Sequence, residues 1–237
     1  MTKLSVNINK VAVIRNARGG NLPDVVKFAM DCERFGADGI TVHPRPDERH
    51  IKYDDVISLS KVVTTEFNIE GYPDERYMQL IKKVKPAQAT LVPDPPNVIT
   101  SNTGWDVINN MQLLKNIIDE IHSIGIRVSV FLNAEIDQVH AAKESGTDRI
   151  ELYTGPYAEH FSNNKEKAIE DYTAAGLIAK KIGLGLNAGH DLNLDNLKFF
   201  KRHLPNLDEV SIGHALISDA LYFGIENTIQ LYKRQLV

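Results

Sequence analysis

The sequence predicts an α/β protein, a single (β/α)8 TIM barrel, and three observations carry that expectation. Eight short apolar runs each end in a polar or ionisable residue, a helix-like stretch separates each run from the next, and 237 residues is close to the usual length of one such barrel. The runs read Leu4–Asn9, Gly39–His43, Phe67–Glu70, Ala89–Asp94, Arg127–Asn133, Arg149–Thr154, Gly183–His190 and Glu209–His214. In this architecture reactive groups gather at the C-terminal ends of the strands. The residues at those ends (Asn7, His43, Arg45, Glu70, Glu151, His190 and His214) make a poor filling for a core and a good set for chemistry.

Length and composition narrow the class. One domain over residues 1–237 is the expectation, since no low-complexity linker interrupts the chain. The single cysteine, Cys32, has no internal disulfide partner and falls on the apolar stripe of a helix, which fits inert packing in a reducing cytoplasm. Apolar runs are broken by charge well before the ~18 residues of a membrane span, so no membrane association is expected. A net charge of −4 offers no basic footprint for nucleic acid. Anionic small substrates remain open, because local charge can oppose the global sign.

The first helix is the clearest of the series. Asn21 is positioned to cap it, Pro23 sits in its first turn, and Val25, Phe28, Ala29, Cys32 and Phe35 form one apolar stripe before Gly36 ends it. Helical patterns recur at Asp54–Thr64, Asp74–Val84, Val107–Ile124, Glu135–Ser145, Lys165–Ile182, Asn193–His203 and Asn227–Leu236. Two segments are read as long catalytic-face loops: Asn16–Gly20 after strand one, and Pro93–Gly104 after strand four.

The strand ends supply the candidate chemistry. Alternation in Val6-Asn7-Ile8-Asn9 places Asn7 and Asn9 on one side of strand one. His43 closes strand two, with Arg45, Arg49 and His50 in the loop beyond it, a combination suited to an anionic substrate beside an acid–base group. The plainer alternative there is a solvated charged loop. Glu70 stands at a rim beside apolar walls, where its proton affinity should rise. Glu151 lies between apolar neighbours and points either into the barrel or outward to an ion pair with Arg149 or a lysine. Gly189-His190 and Gly213-His214 end strands seven and eight, whose loops commonly build a phosphate site with a short helix, here beginning within Ala215–Ala220. His122, His140, His160 and His203 fall on helices or loops and read as solvent-facing. No P-loop, Gly-x-Gly-x-x-Gly, His-Glu-x-x-His or paired-cysteine pattern is present.

Taken in order, the segments Val6–Gly19, Gly36–Arg45, Asn68–Glu70, Leu91–Pro93, Glu151–Gly155, Asn187–His190 and Ile212–Ala215 closely resemble the pyridoxine 5′-phosphate synthase family. The likeness runs from about Leu4 to Leu236. It implies condensation of 1-deoxy-D-xylulose 5-phosphate with 3-amino-2-oxopropyl phosphate, giving pyridoxine 5′-phosphate, phosphate and water. It implies His43 and Glu70 as proton acceptors, His190 as proton donor and Glu151 as a transition-state stabiliser. By the same likeness Asn7, Arg18, Asp191, Gly213 and His214 contact the aminoketone phosphate. Asn9, Lys10, Arg45, His50 and Thr100 contact the deoxyxylulose phosphate. A homo-octamer is implied as well.

The chain departs from the commoner family pattern in three places. Asn9-Lys10 stands in place of Asp-His, Asp191 replaces a frequent glycine, and Pro44 stiffens the His-x-Arg segment. The substrate brings its own amine, so imine formation needs no enzymic lysine. The remaining proton transfers ask for several acid–base groups and for no metal or other cofactor. Two other readings are weighed. A metal-dependent barrel isomerase or hydrolase would use Glu70, Glu151, His190 and His43 as ligands, and a non-catalytic phospholigand binder would have no use for those four together.

Overall fold

The computed structural model describes residues 1–94 and 102–237. Its eight strands, all parallel, close into one barrel in sequence order, with β8 returning to pair with β1. The strands are β1 (Lys3–Asn7), β2 (Gly39–Val42), β3 (Glu66–Gly71), β4 (Gln88–Leu91), β5 (Arg127–Leu132), β6 (Arg149–Tyr153), β7 (Gly185–Gly189) and β8 (Glu209–Ile212). The helices that follow are α1 (Asn9–Arg18), α2 (Val25–Arg34), α3 (Tyr53–Leu59), α4 (Glu75–Val84), α5 (Met111–Ser123), α6 (Ile136–Ser145), α7 (Gly155–Lys181), α8 (Leu197–His203), α9 (His214–Phe223) and α10 (Ile225–Gln235).

Strand alternation sorts side chains into two environments. Leu4, Val6, Ile40, Val42, Ile69, Leu91, Val130, Leu152, Leu186 and Val210 are fully buried and pack with the apolar faces of the helices. The intervening residues meet one another across the strands, and most of those with side chains are polar, Phe131 being an exception. Ser5 Oγ lies 2.7 Å from Thr41 Oγ1, and Asn68 Nδ2 donates to Thr41 Oγ1 at 3.3 Å. Thr90 Oγ1 in turn donates to Asn68 Oδ1 at 2.9 Å. Nearer the N-terminal end, Arg127 bonds Gln88 and Glu66, and Arg149 bonds Asn187. The barrel centre is therefore held by paired polar groups, and the aliphatic core lies between sheet and helices. The pairing is incomplete on the β5–β8 side: Ser129 Oγ, Glu151 Oε2, Asn187 Nδ2 and Glu209 Oε2 are buried with no hydrogen-bond partner among the described residues.

Several sequence expectations are corrected. Strand one stops at Asn7, and Asn9 and Lys10 open α1, so Asn7 and Asn9 do not share a strand face. Asn16 to Arg18 belong to that helix and only Gly19-Gly20 continue as loop. Val11, Ala12 and Arg15 bury one side of α1, and that packing outweighs the extended pattern of the preceding residues. Asp24, three residues past Asn21, caps α2 by accepting from the N–H groups of Val26 and Lys27, while Asn21 donates to the Asp24 carboxylate. The helix before β7 begins ten residues earlier than expected, at Gly155. It breaks at Asn164, whose side chain accepts from Lys167 N to restart it. The short helix after β8 runs ten residues and starts at His214 itself.

Candidate active site

The rim of the barrel brings β1, β2 and β3 together at one point. Asn7 Nδ2 donates to Glu70 Oε2 at 3.4 Å, and His43 Nδ1 lies 3.8 Å from the same oxygen. Asn7 Oδ1 accepts from the Asn9 N–H, and Asn9 Oδ1 accepts from the His43 N–H at 2.9 Å. Asn9, although off the strand, thus fixes the backbone that carries His43. This is a function that the alternation argument did not provide.

Burial decides where the protons sit. Glu70 is pushed up to about 8 by burial, with the Asp94 carboxylate adding to the effect and the Arg45 guanidinium opposing it. His43 is driven well below the ordinary imidazole range, first by burial and then by the charges of Arg45, His50 and Arg49. Near neutrality the pair holds its proton on Glu70 and presents His43 as a free base. Burial, aided by Arg45 and Lys10, likewise lowers His50 to about 4. His50 Nδ1 accepts from the Ile51 N–H at 2.9 Å, so the neutral ring carries its proton on Nε2.

Glu151 resolves its two alternatives inward. It is 3% exposed, and a methyl group placed on Gly189 would meet its Oε1 at 2.2 Å. Arg149 bonds Asn187 instead. Burial holds the Glu151 carboxyl well above the usual carboxylate range, with Glu70 and Glu209 adding to the shift. His190 follows Gly189 at a φ of 81°, and Asp191 at 57°, two successive left-handed residues. Asp tolerates that region better than most side chains. Thr154 Oγ1 donates to the carbonyls of Gly189 and His190, which secures the turn. The Asp191 carboxylate sits 2.7 Å from His190 Nδ1, and the Tyr153 ring stands edge-on to the imidazole with centroids 5.2 Å apart.

The remaining candidates divide. A Cβ at Gly213 would approach Asn7 Cβ and O at 3.2 Å, so any side chain there would press on Asn7 by a few tenths of an ångström. His214 opens α9 and is close enough to Asp191 to help depress its carboxyl, after the larger effect of the His190 hydrogen bond. Arg45 is buried and its Nη2 bonds Asp94 Oδ2 at 2.7 Å. Lys10 is exposed at the start of α1, and Arg18 is exposed eight residues further on, about 12 Å along the axis. In the chain by itself Arg18 is not drawn to the cluster around Glu70. Thr100 lies outside the described residues. Sequence reasoning did not single out Asp94 as a partner of Arg45, since 49 residues separate them. A cavity of about 610 Å³ adjoins the rim, with Tyr153, His160 and Lys167 in its wall, while His43, Glu70 and His190 lie outside its lining. Among the described residues no group of three or more His, Cys, Asp or Glu is arranged to hold a metal ion.

Residues 4–237 match the family described as pyridoxal phosphate biosynthesis protein PdxJ. The chain is 61% identical to pyridoxine 5′-phosphate synthase of Cytophaga hutchinsonii, over all of this chain and 99% of the relative. The chain belongs to this family. The corresponding protein of Porphyromonas gingivalis is 58% identical with the same coverage. More distant solved structures share the fold alone. Thiamine phosphate pyrophosphorylase from Pyrococcus furiosus superposes with a TM-score of 0.64 at 13% identity, covering 99% of this chain and 95% of its own. Phosphoribosylanthranilate isomerase from Thermotoga maritima gives 0.60 at 14%, covering 100% and 98%. Membership of the synthase family agrees with a rim built from acid–base groups.

Proposed function

We propose that the chain condenses 3-amino-2-oxopropyl phosphate with 1-deoxy-D-xylulose 5-phosphate, releasing pyridoxine 5′-phosphate, phosphate and water, with residues 1–237 acting as one catalytic domain. The observation that carries this reading is the His43–Glu70 pair, a neutral imidazole 3.8 Å from a carboxyl that titrates at about 8. The amine of one substrate forms the imine with the ketone of the other. His43 and, once ionised, Glu70 take protons from the carbon skeleton. His190, oriented by Asp191, returns a proton to the departing oxygen. Glu151, kept protonated by burial, donates a hydrogen bond to charge that develops in the transition state.

Phosphate recognition is assigned by the family resemblance. Asn7, Arg18, Asp191, Gly213 and His214 serve the aminoketone phosphate, where the start of α9 offers backbone N–H groups. Asn9, Lys10, Arg45, His50 and Thr100 serve the deoxyxylulose phosphate. No cofactor is assigned. Self-association, with the octamer as the expected state, is supported by an apolar surface. Leu221, Tyr222 and Phe223 of α9 are 73%, 86% and 49% exposed, and the adjoining α1 exposes Val13 and Ile14. The compartment we assign is the cytoplasm, since the one cysteine is buried and calls for no oxidising environment.

The test is direct. Purified protein given both substrates should form pyridoxine 5′-phosphate, read by mass and by the ultraviolet band of the pyridine ring. His43→Ala and His190→Ala should each lower turnover by ~100-fold or more with circular dichroism unchanged. Product formed at undiminished rate by both folded variants would end the assignment.

A further inference from the structure

Helix α1 reaches the backbone beside both rim histidines of the β2 segment. At its start, Asn9 Oδ1 accepts from His43 N, as described above. At its far end two further side chains converge on the next loop. Arg15 is 4% exposed, and its guanidinium grips the Asp55 carboxylate through Nη1 at 2.5 Å and Nη2 at 2.8 Å. The same Nη2 donates to the His50 carbonyl at 3.2 Å, and Nε donates to Asn16 Oδ1 at 3.0 Å. That bond turns the Asn16 amide so that Nδ2 donates to the Arg49 and His50 carbonyls, at 3.2 and 2.8 Å.

A tie between α1 and α3 would be complete with the Arg15–Asp55 pair alone. Here three additional hydrogen bonds end on two consecutive carbonyls of the loop that carries His50. The His50 ring is in turn held by its own backbone, through the Ile51 N–H to Nδ1. Displacing the carbonyl therefore displaces Nε2, the nitrogen left to face a ligand. The His43 and His50 rings stand 6.3 Å apart between centroids, near edge-on, so both lie within the reach of one small substrate.

We propose that Arg15 and Asn16 are positioning residues for His50, and that through them α1 sets the deoxyxylulose phosphate end of the site. The proposal rests on the reading above that His50 faces that substrate. Neither residue touches substrate. Their effect is to hold one hydrogen-bond donor where the sugar phosphate needs it, and loss of that hold is felt in binding more than in turnover.

The experiment uses the full-length enzyme and varies each substrate in turn. Asn16→Ala removes two of the three bonds to the loop and leaves the Arg15–Asp55 pair and the Arg15 bond to the His50 carbonyl in place. KM for 1-deoxy-D-xylulose 5-phosphate should rise about tenfold, the loss expected for two modest hydrogen bonds. KM for the aminoketone phosphate and kcat should stay within about twofold. Unchanged KM values, or equal rises in both with a fall in kcat, would overturn the positioning role. Should Asn16→Ala not fold, Arg15→Lys, which keeps the charge and loses the fork, is read by the same split. His50→Ala separates the two layers of the argument. If it leaves KM for the sugar phosphate unchanged, the assignment of His50 falls; if it raises KM while Asn16→Ala does not, the positioning falls alone.

Discussion

Arg45 Nη2 lies 2.7 Å from Asp94 Oδ2 with side-chain exposures of only 5% and 3%, so the clamp assigned to a substrate phosphate is also one half of a buried ion pair. The pair joins the loop after β2 to the segment that follows β4. It also places both charges within electrostatic reach of Glu70, which Asp94 raises and Arg45 lowers.

Removing Arg45 should therefore cost stability as well as binding. Arg45→Met removes the cation bonded to the buried Asp94 carboxylate, and should destabilise the fold by about 3–5 kcal/mol. Adding Asp94→Asn should restore much of that loss while leaving KM for the deoxyxylulose phosphate raised. Urea unfolding of both variants checks the first point and steady-state kinetics the second. A single variant as stable as the parent would show that the pair contributes nothing to folding.

Glu70 makes a pH prediction whose sign follows from its raised proton affinity. The folded state titrates at about 8 and the unfolded carboxyl near 4.3, so between these values the folded state binds more protons. Stability attributable to Glu70 therefore falls as pH rises from ~4.3 to ~8 and levels off above. Glu70→Gln should melt several degrees above the parent at pH 9 and within about 2 °C of it at pH 5. The same variant should lose ~100-fold or more in turnover, and parental kcat/KM should climb toward pH ~8 as the acceptor ionises. Parallel melting curves across that range would refute the assigned burial of an ionisable Glu70.

Gly189 tests the inward carboxylate without touching it. Its backbone is not left-handed, so alanine brings only the added methyl, 2.2 Å from Glu151 Oε1 and 3.3 Å from the Ser211 carbonyl. Gly189→Ala should push Glu151 aside and lower kcat by roughly tenfold to a hundredfold, with circular dichroism preserved. Full activity in the alanine variant would mean that the placement of Glu151 is unimportant to the reaction.

Lys10 separates two chemistries. It is exposed near His50, which suits the charged-donor role proposed for it, whereas a covalent role would need a desolvated amine. Borohydride added with deoxyxylulose phosphate alone should leave the intact mass of the chain unchanged. A stable adduct mapped to Lys10 would replace substrate-borne imine formation with an enzyme-borne one.

What the sequence determined by itself was the barrel and which residues stand at most of its strand ends. The strand period of two and the residue that closes each strand are local properties, and local properties are written in consecutive residues. The strand-end placement of His43, Glu70, Glu151 and His190 was legible for that reason. Tertiary structure decided the rest. Alternation could not say which face of β6 points inward, because both faces of a barrel strand are buried; closure of β8 onto β1 turned Glu151 to the centre. It decided that Asn9 opens a helix, since packing of Val11, Ala12 and Arg15 outweighed the extended pattern before them. It joined Arg45 to Asp94 and Arg15 to Asp55 across 49 and 40 residues. The raised proton affinity of Glu70 was expected from its place at the rim, but its cause is tertiary: chain segments distant in sequence, Asp94 among them, bury the carboxyl and add charge beside it.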